Sequence, residues 1–140
     1  MENLGTFVSQ NLVFCLSFIL LLGIYIIFEL VQTKKSRYNL SIVDAVMVVN
    51  RNKGIYLDTR DDEAFSKSHI IGAQNVSYTE LQEKSKKLVK YKAKPIVIYG
   101  EQPEKAMLTL RQSGFEQVYV LKGGLAAWLQ ASYPVKSLSK

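Results

Sequence analysis

The chain has one cysteine, one histidine and three prolines in 140 residues. A single cysteine excludes an intramolecular disulfide framework and a multi-thiolate zinc site. A single histidine excludes a paired-histidine metal motif, so no metal and no cofactor are expected. There is no internal repeat and no low-complexity tract. Hydrophobic residues make up 48% of the chain and charged residues 21%, a balance that excludes a disordered chain. The mean hydropathy of +0.03 is high for a protein with 18 basic and 12 acidic residues, so the apolar residues must be concentrated somewhere.

They are concentrated near the start, where no charge interrupts Leu12 to Phe28. Leu12 to Val31 is 20 residues, and as a helix it spans about 30 Å, the thickness of a bilayer core. A buried core helix would need a polar face or a larger remainder to wrap it, and this segment has neither. A cleaved signal peptide would carry a basic start and a small-residue cleavage site, and neither is present. The segment reads as an uncleaved single-pass anchor, with the lipid bilayer as its first partner. The N-terminal flank has Glu2 and no Lys or Arg, whereas Lys34, Lys35 and Arg37 follow the span. The positive-inside rule therefore puts the N-terminus outside and residues 32–140 in the cytoplasm. Glu29 falls near the cytoplasmic interface, where its carboxylate reaches water or a nearby lysine. Cys15 reads as a lipid-facing or helix-packing residue, because hydrocarbon opposes the thiolate.

The densest later charge is Lys84, Lys86, Lys87, Lys90, Lys92 and Lys94. It reads as a solvated face with attraction to anionic headgroups. Nucleic-acid binding is not expected, since no Arg-rich or aromatic interleaving accompanies it.

After residue 38, short apolar runs alternate with helix signals. Ser41 to Asp44 resembles a capping box, opening a helix to about Val49. Ile55–Asp58, Ala73–Val76, Pro95–Tyr99 and Val118–Leu121 read as strands. Asp61 to Ser68, Thr79 to about Val89, Pro103 to about Ser113, and a segment opened by Gly123-Gly124 read as helices. Strands separated by helices predict an α/β domain with a mostly parallel central sheet flanked by helices. Such sheets bind ligands at the carboxyl ends of their strands, which makes the loop after Tyr99 the place to inspect.

Three stretches in order carry a family resemblance: Ile55-Tyr-Leu-Asp-Thr-Arg60 with His69-Ile-Ile-Gly-Ala-Gln-Asn-Val76; Pro95 to Tyr99; and Gly114-Phe115, Val118 to Leu121 and Gly123-Gly124-Leu-Ala-Ala-Trp128. Residues 39–136 resemble a rhodanese-like domain. One membrane anchor before one such domain also resembles bacterial members of the inner membrane. Hydropathy, flanking charge and the resemblance together divide the chain into an extracytoplasmic N-terminus (1–11), a transmembrane helix (12–31), a basic linker (32–38), the rhodanese-like domain (39–136) and a tail (137–140). Rhodaneses transfer sulfane sulfur through a cysteine persulfide at the start of a six-residue loop. Here that loop corresponds to Gly100, Glu101, Gln102, Pro103, Glu104 and Lys105. Gly100 stands where the nucleophile is expected, Pro103 supplies no N–H, and Glu101 and Glu104 oppose an anion.

The resemblance makes Asp58, Arg60, His69, Gly72, Gly123, Gly124 and Trp128 family structural positions. Asp58 and Arg60 are expected to pair, and His69 to be a hydrogen-bonded structural histidine. Trp128 is expected to pack with Phe115 and Leu125, and Lys105 to pair with Glu101 or Glu104. The leading expectation is a pseudoenzyme, a protein-interaction or scaffold module facing the cytoplasm and binding membrane or cytoplasmic proteins. Two alternatives stand beside it. One is sulfur transfer relying on an external thiol carrier. The other is a cation or basic-peptide pocket formed by Glu101 and Glu104.

Overall fold

The computed structural model describes residues 2–138. They fall into two compact units divided between Arg37 and Tyr38.

The N-terminal unit is helical. Helix α1 spans Glu2–Gln10 and helix α2 spans Leu12–Ser36. Asn11 interrupts them at φ −119° and ψ 28°. Its side-chain amide donates to the Phe7 carbonyl at 3.0 Å, covering an acceptor at the break. Within Leu12–Lys34 an 18-residue window has mean hydropathy 2.6 and none of it is buried within the protein, so among the described residues this one helix is long and apolar enough to cross a membrane. The helix runs past the expected limit of residue 31, and most of the expected 32–38 linker is helical. Gln32 and Lys34 are good helix formers, and the Thr33 hydroxyl donates to the Glu29 carbonyl at 2.8 Å.

The C-terminal unit is the α/β domain. Its parallel sheet has the order β1-β6-β5-β2-β4, from Asn39–Leu40, Val118–Leu121, Ile96–Tyr99, Ile55–Asp58 and Gln74–Asn75. A separate antiparallel pair joins β3 (His69–Ile70) to β7 (Val135–Lys136). Helices α3 (Ile42–Asn52), α4 (Asp62–Lys67), α5 (Leu81–Lys84), α6 (Pro103–Gln112) and α7 (Gly124–Gln130) complete it. Parallel neighbours need crossovers, which explains the alternation of strand and helix signals. The capping box predicted at Ser41 forms, its Oγ accepting from the Asp44 amide at 3.2 Å, and Asp61 caps α4, its Oδ1 accepting from the Ala64 amide at 2.8 Å.

Strands β2 and β5 are buried along their whole length, as continuous β-branched and aromatic runs require. Their alternating side chains feed two core layers. Leu57, Ile96 and Ile98 face α6 residues Ala106, Met107 and Leu110, with Phe115. Tyr56, Val97 and Tyr99 face the other layer, with Ala45, Leu121, Trp128 and partly buried Leu125. Phe115 and Trp128 therefore lie on opposite faces of the sheet, which corrects the expectation that they pack together. Leu125 does share the Trp128 layer. The Trp128 ring meets Tyr56 edge-on at 5.3 Å and donates from Nε1 to the Pro134 carbonyl at 3.0 Å.

The segment expected as one helix from Thr79 is broken. A 3₁₀ helix over Tyr78–Glu80 leads into α5, and a second 3₁₀ helix covers Ser85–Tyr91. Ser77, not Thr79, stands at its start, and its hydroxyl donates to Glu80 at 3.1 Å. Within these helices only Leu81 and Leu88 are buried, so packing gives the segment few anchors to hold α geometry.

Candidate functional site

The carboxyl ends of β2 and β5 lie side by side, with Asp58 in register with Tyr99. The loops that leave these two strands differ in chemistry.

After β2, the chain builds a closed polar network. Asp58 is fully buried. A carboxylate there must be paired and hydrogen-bonded. Arg60 supplies this from two residues on. Its amide and Nε reach Asp58 Oδ1 at 2.9 and 3.0 Å, and Nη2 reaches Oδ2 at 2.6 Å. Nη2 also donates to the Ser68 carbonyl at 2.6 Å, tying the strand end to the end of α4. The Asp58 hydrogen bonds raise the Arg60 pKa further above its ordinary value, against the opposing effect of burial. The Asn75 amide donates to the carbonyls of Asp58 and Arg60 at 3.2 and 2.9 Å. The expected Asp58–Arg60 pair is thus present and organises the turn.

His69 is 4% exposed. Its Nδ1 lies 2.7 Å from the Phe65 carbonyl, and its ring stacks on Phe65 with centroids 3.9 Å apart. The hydrogen bond expected of it is present. Gly72, Gly123 and Gly124 all have positive φ, as their motif places predict.

After β5, the chain is open. Gly100 has φ +115°, and a Cβ built there would lie 2.9 Å from Arg60 Cγ and 3.1 Å from Asp58 Oδ1. The position is closed to a side chain twice over, by backbone conformation and by the neighbouring network. Gln102 also has positive φ, at 43°, and it precedes Pro103 at the first turn of α6. The loop is fastened from below: Thr59 Oγ1 lies 2.6 Å from the Glu101 carbonyl and 3.2 Å from that of Tyr99. A cleft of about 300 Å³ opens beside it, lined by Tyr99, Gly100, Pro103, Glu104, Lys122 and Gly123 among others. Glu101 and Lys105 are exposed and Glu104 is half-buried. Among the described residues Lys105 has no ion-pair partner, which corrects its expected pairing with a loop glutamate. Lys105 and Glu101 are both exposed, and a lysine in water gains little from a nearby carboxylate.

Motif reading missed two contributors, Thr59 and Tyr99. Tyr99 is fully buried, and its hydroxyl accepts from the Ile70 amide at 3.1 Å. Burial pushes its pKa well above the ordinary value, with the Asp58 carboxylate adding to the effect. A tyrosine closing an otherwise aliphatic buried strand was the available signal. The chain's one cysteine, Cys15, belongs to α2, in the other unit. No group of described residues has the composition of a metal site.

The sequence model of the family described as "Rhodanese-like domain" matches residues 43–131. An uncharacterised protein of Buchnera aphidicola (subspecies Schizaphis graminum) is 32% identical over 140 residues, covering 96% of this chain and 93% of that one. Such coverage takes in most of the N-terminal helical unit as well. The thiosulfate sulfurtransferase GlpE of Coxiella burnetii is 31% identical over 104 residues, covering 72% of this chain and 94% of its own. Among solved structures, the Rhodanese_3-like domain of the Alr3790 protein from Anabaena superposes with a TM-score of 0.57 at 35% identity, covering 61% of this chain and 94% of that one.

Proposed function

The chain belongs to the rhodanese-like family, and from that premise we propose that it is a membrane-anchored member that binds partners and performs no sulfur transfer. The observation that carries the reading is Gly100. The residue after β5 has a left-handed backbone and no room for a Cβ, so the position where the family chemistry needs a thiolate bears no nucleophile. Glu101 and Glu104 add negative charge at a site that would have to hold an anionic sulfur species. Helix α2 anchors the protein in the cytoplasmic membrane, and the basic residues after it hold the domain on the cytoplasmic side. The strand-end loop, with its cleft, is the surface offered to a cytoplasmic or membrane protein.

Photocrosslinkers placed at Gln102 and Lys105 in the full-length protein test this. They should capture a defined protein partner, and capture should fall when Glu101 and Glu104 are both changed to Gln. Capture that ignores both substitutions contradicts this surface. A second reading has one observation in its favour, the 31% identity to a protein named as a thiosulfate sulfurtransferase. On that reading the domain holds an external thiol carrier that bears the persulfide. Sulfane-sulfur transfer that appears only when a low-molecular-weight thiol is supplied would favour it.

A further inference from the structure

The two edges of the sheet differ in charge, the amino-terminal edge being almost purely basic and the carboxyl edge mixed. At the amino-terminal edge the chain segments entering β2, β5 and β6 are tied together: the Ile55 amide donates to the Pro95 carbonyl at 2.9 Å, and the Ile96 amide donates to the Gln117 carbonyl at 2.8 Å. These segments bring Arg51 and Lys53, then Lys90, Lys92 and Lys94, to one rim, with Glu116 as the carboxylate among them. All five cations are exposed. None has an ion-pair partner among the described residues, whose ion pairs are Arg60–Asp58, Lys67–Glu63 and Lys84–Glu80. The Lys90 and Lys94 ammonium groups flank the Tyr91 ring at 5.0 and 5.8 Å, which holds their stems against the surface. The opposite edge carries Asp61, Asp62, Glu63, Glu101 and Glu104, with Arg60, Lys67, Lys105 and Lys122 interspersed.

The chain enters the domain from the basic side. Strand β1 runs parallel to β6, so the residues before Asn39 approach from the amino-terminal side of the sheet. That approach is pinned: the Tyr38 carbonyl accepts from the Val120 amide at 2.8 Å, and the Arg111 guanidinium lies 4.0 Å over the Tyr38 ring. Only Arg37 separates Tyr38 from the end of α2 at Ser36, a chain reach of about 7 Å.

We propose that this basic rim is a docking surface for anionic phospholipid headgroups, so that the domain lies on the bilayer through the amino-terminal edge of its sheet and presents the Gly100–Lys105 loop away from the lipid. The inference rests on the anchored reading above. On that reading a tether this short holds the domain at a high effective concentration near the headgroups, and the attraction of each basic side chain multiplies the docked population by about fivefold at an anionic surface. Salt weakens it, because the field extends only about 8 Å at physiological ionic strength.

The test uses the full-length chain with Cys15 replaced by Ser and one new cysteine for a fluorophore, at Asn52 on the basic edge or at Asp62 on the carboxyl edge. Each protein is reconstituted into vesicles of phosphatidylcholine, alone or mixed with phosphatidylglycerol, that carry a headgroup nitroxide quencher. The Asn52 label should be quenched several-fold more than the Asp62 label in the phosphatidylglycerol vesicles. The difference should collapse in high salt and in the Lys90→Gln, Lys92→Gln, Lys94→Gln variant. Equal quenching at the two sites, or quenching indifferent to phosphatidylglycerol, overturns the proposal. So does an Asn52 label shielded only when RNA or an acidic protein is added. Extraction of the protein by alkaline carbonate reports the anchor separately: a chain that resists extraction yet shows equal quenching defeats the docking alone.

Discussion

Two strand ends stand in register at the carboxyl edge of one sheet. After β2, Asp58, Arg60, Ser68 and Asn75 form a network in which the buried carboxylate is matched by nearby donors. After β5, a glycine without space for a side chain opens an acidic loop whose carboxylates have no ion-pair partner among the described residues. The difference teaches that, on the proposed reading, scaffold and chemistry have separated here. The β2 turn closes into a satisfied network, while the residue after β5 bears no side chain that could react. The β2 turn even enforces this, since Arg60 and Asp58 occupy the space a side chain at position 100 would need.

Breaking the closed side should cost most. Asp58→Ala removes the carboxylate from a network that leaves Arg60 only 23% exposed, and about 3 kcal/mol of stability should go with it. Urea unfolding followed by the fluorescence of Trp128, the one tryptophan, measures this directly. A loss below about 1 kcal/mol, the level of an exposed pair, would mean the two strand ends are not as different as described.

The next effect tests the wall between the two sides. Gly100→Ala should cost about 2 kcal/mol, combining a left-handed alanine with contact against Arg60. Gly72→Ala also has positive φ, +81°, but meets nothing within 4 Å. It should cost about 1 kcal/mol from backbone strain alone. Equal midpoints for the two variants in the same urea titration would show that the close approach at position 100 carries no weight.

Two tyrosines sharpen the comparison further. Tyr99→Phe leaves the Ile70 amide without its acceptor and should cost about 1–2 kcal/mol. Tyr56→Phe should be nearly neutral at neutral pH. The Tyr56 pKa is pushed up to about 12, chiefly by burial. The folded state therefore favours the neutral phenol, and this contribution is complete below pH 10 and lost as pH rises through 12. An alkaline titration of the Trp128 signal should show unfolding in that window, and Tyr56→Phe should move it upward. The smallest effect belongs to the open side. Glu101→Gln with Glu104→Gln should change stability by less than about 0.5 kcal/mol, because neither carboxylate supports the fold.

Much of this fold was legible in the residues. Pro95-Ile-Val-Ile-Tyr99 announced a buried central strand, Ser41 and Asp61 announced helix starts, and the Asp-x-Arg spacing announced the pair that forms. Gly100 was visible as a residue without a reactive side chain after the central strand. That its backbone also disfavours any side chain was not visible, because φ depends on how the loop is held by Thr59 and Arg60 from the neighbouring β2 turn. The division of Phe115 and Trp128 between two core layers was hidden for a similar reason. Both are aromatic and follow glycine motifs, and what separates them is which face their element covers: Phe115 follows α6 on one face, and Trp128 lies in α7 on the other. The Tyr78–Tyr91 segment carried a capping pattern at Thr79, yet sparse packing, which no local pattern reports, leaves it largely 3₁₀.

The central claim is that no sulfur chemistry takes place at position 100. It is tested by thiosulfate-to-cyanide sulfur transfer with the full-length protein, run beside the Gly100→Cys variant and a protein-free blank. The protein should be indistinguishable from the blank, and Gly100→Cys should remain inactive because its loop cannot seat the new side chain. Turnover by the unaltered protein above the blank would contradict the account outright.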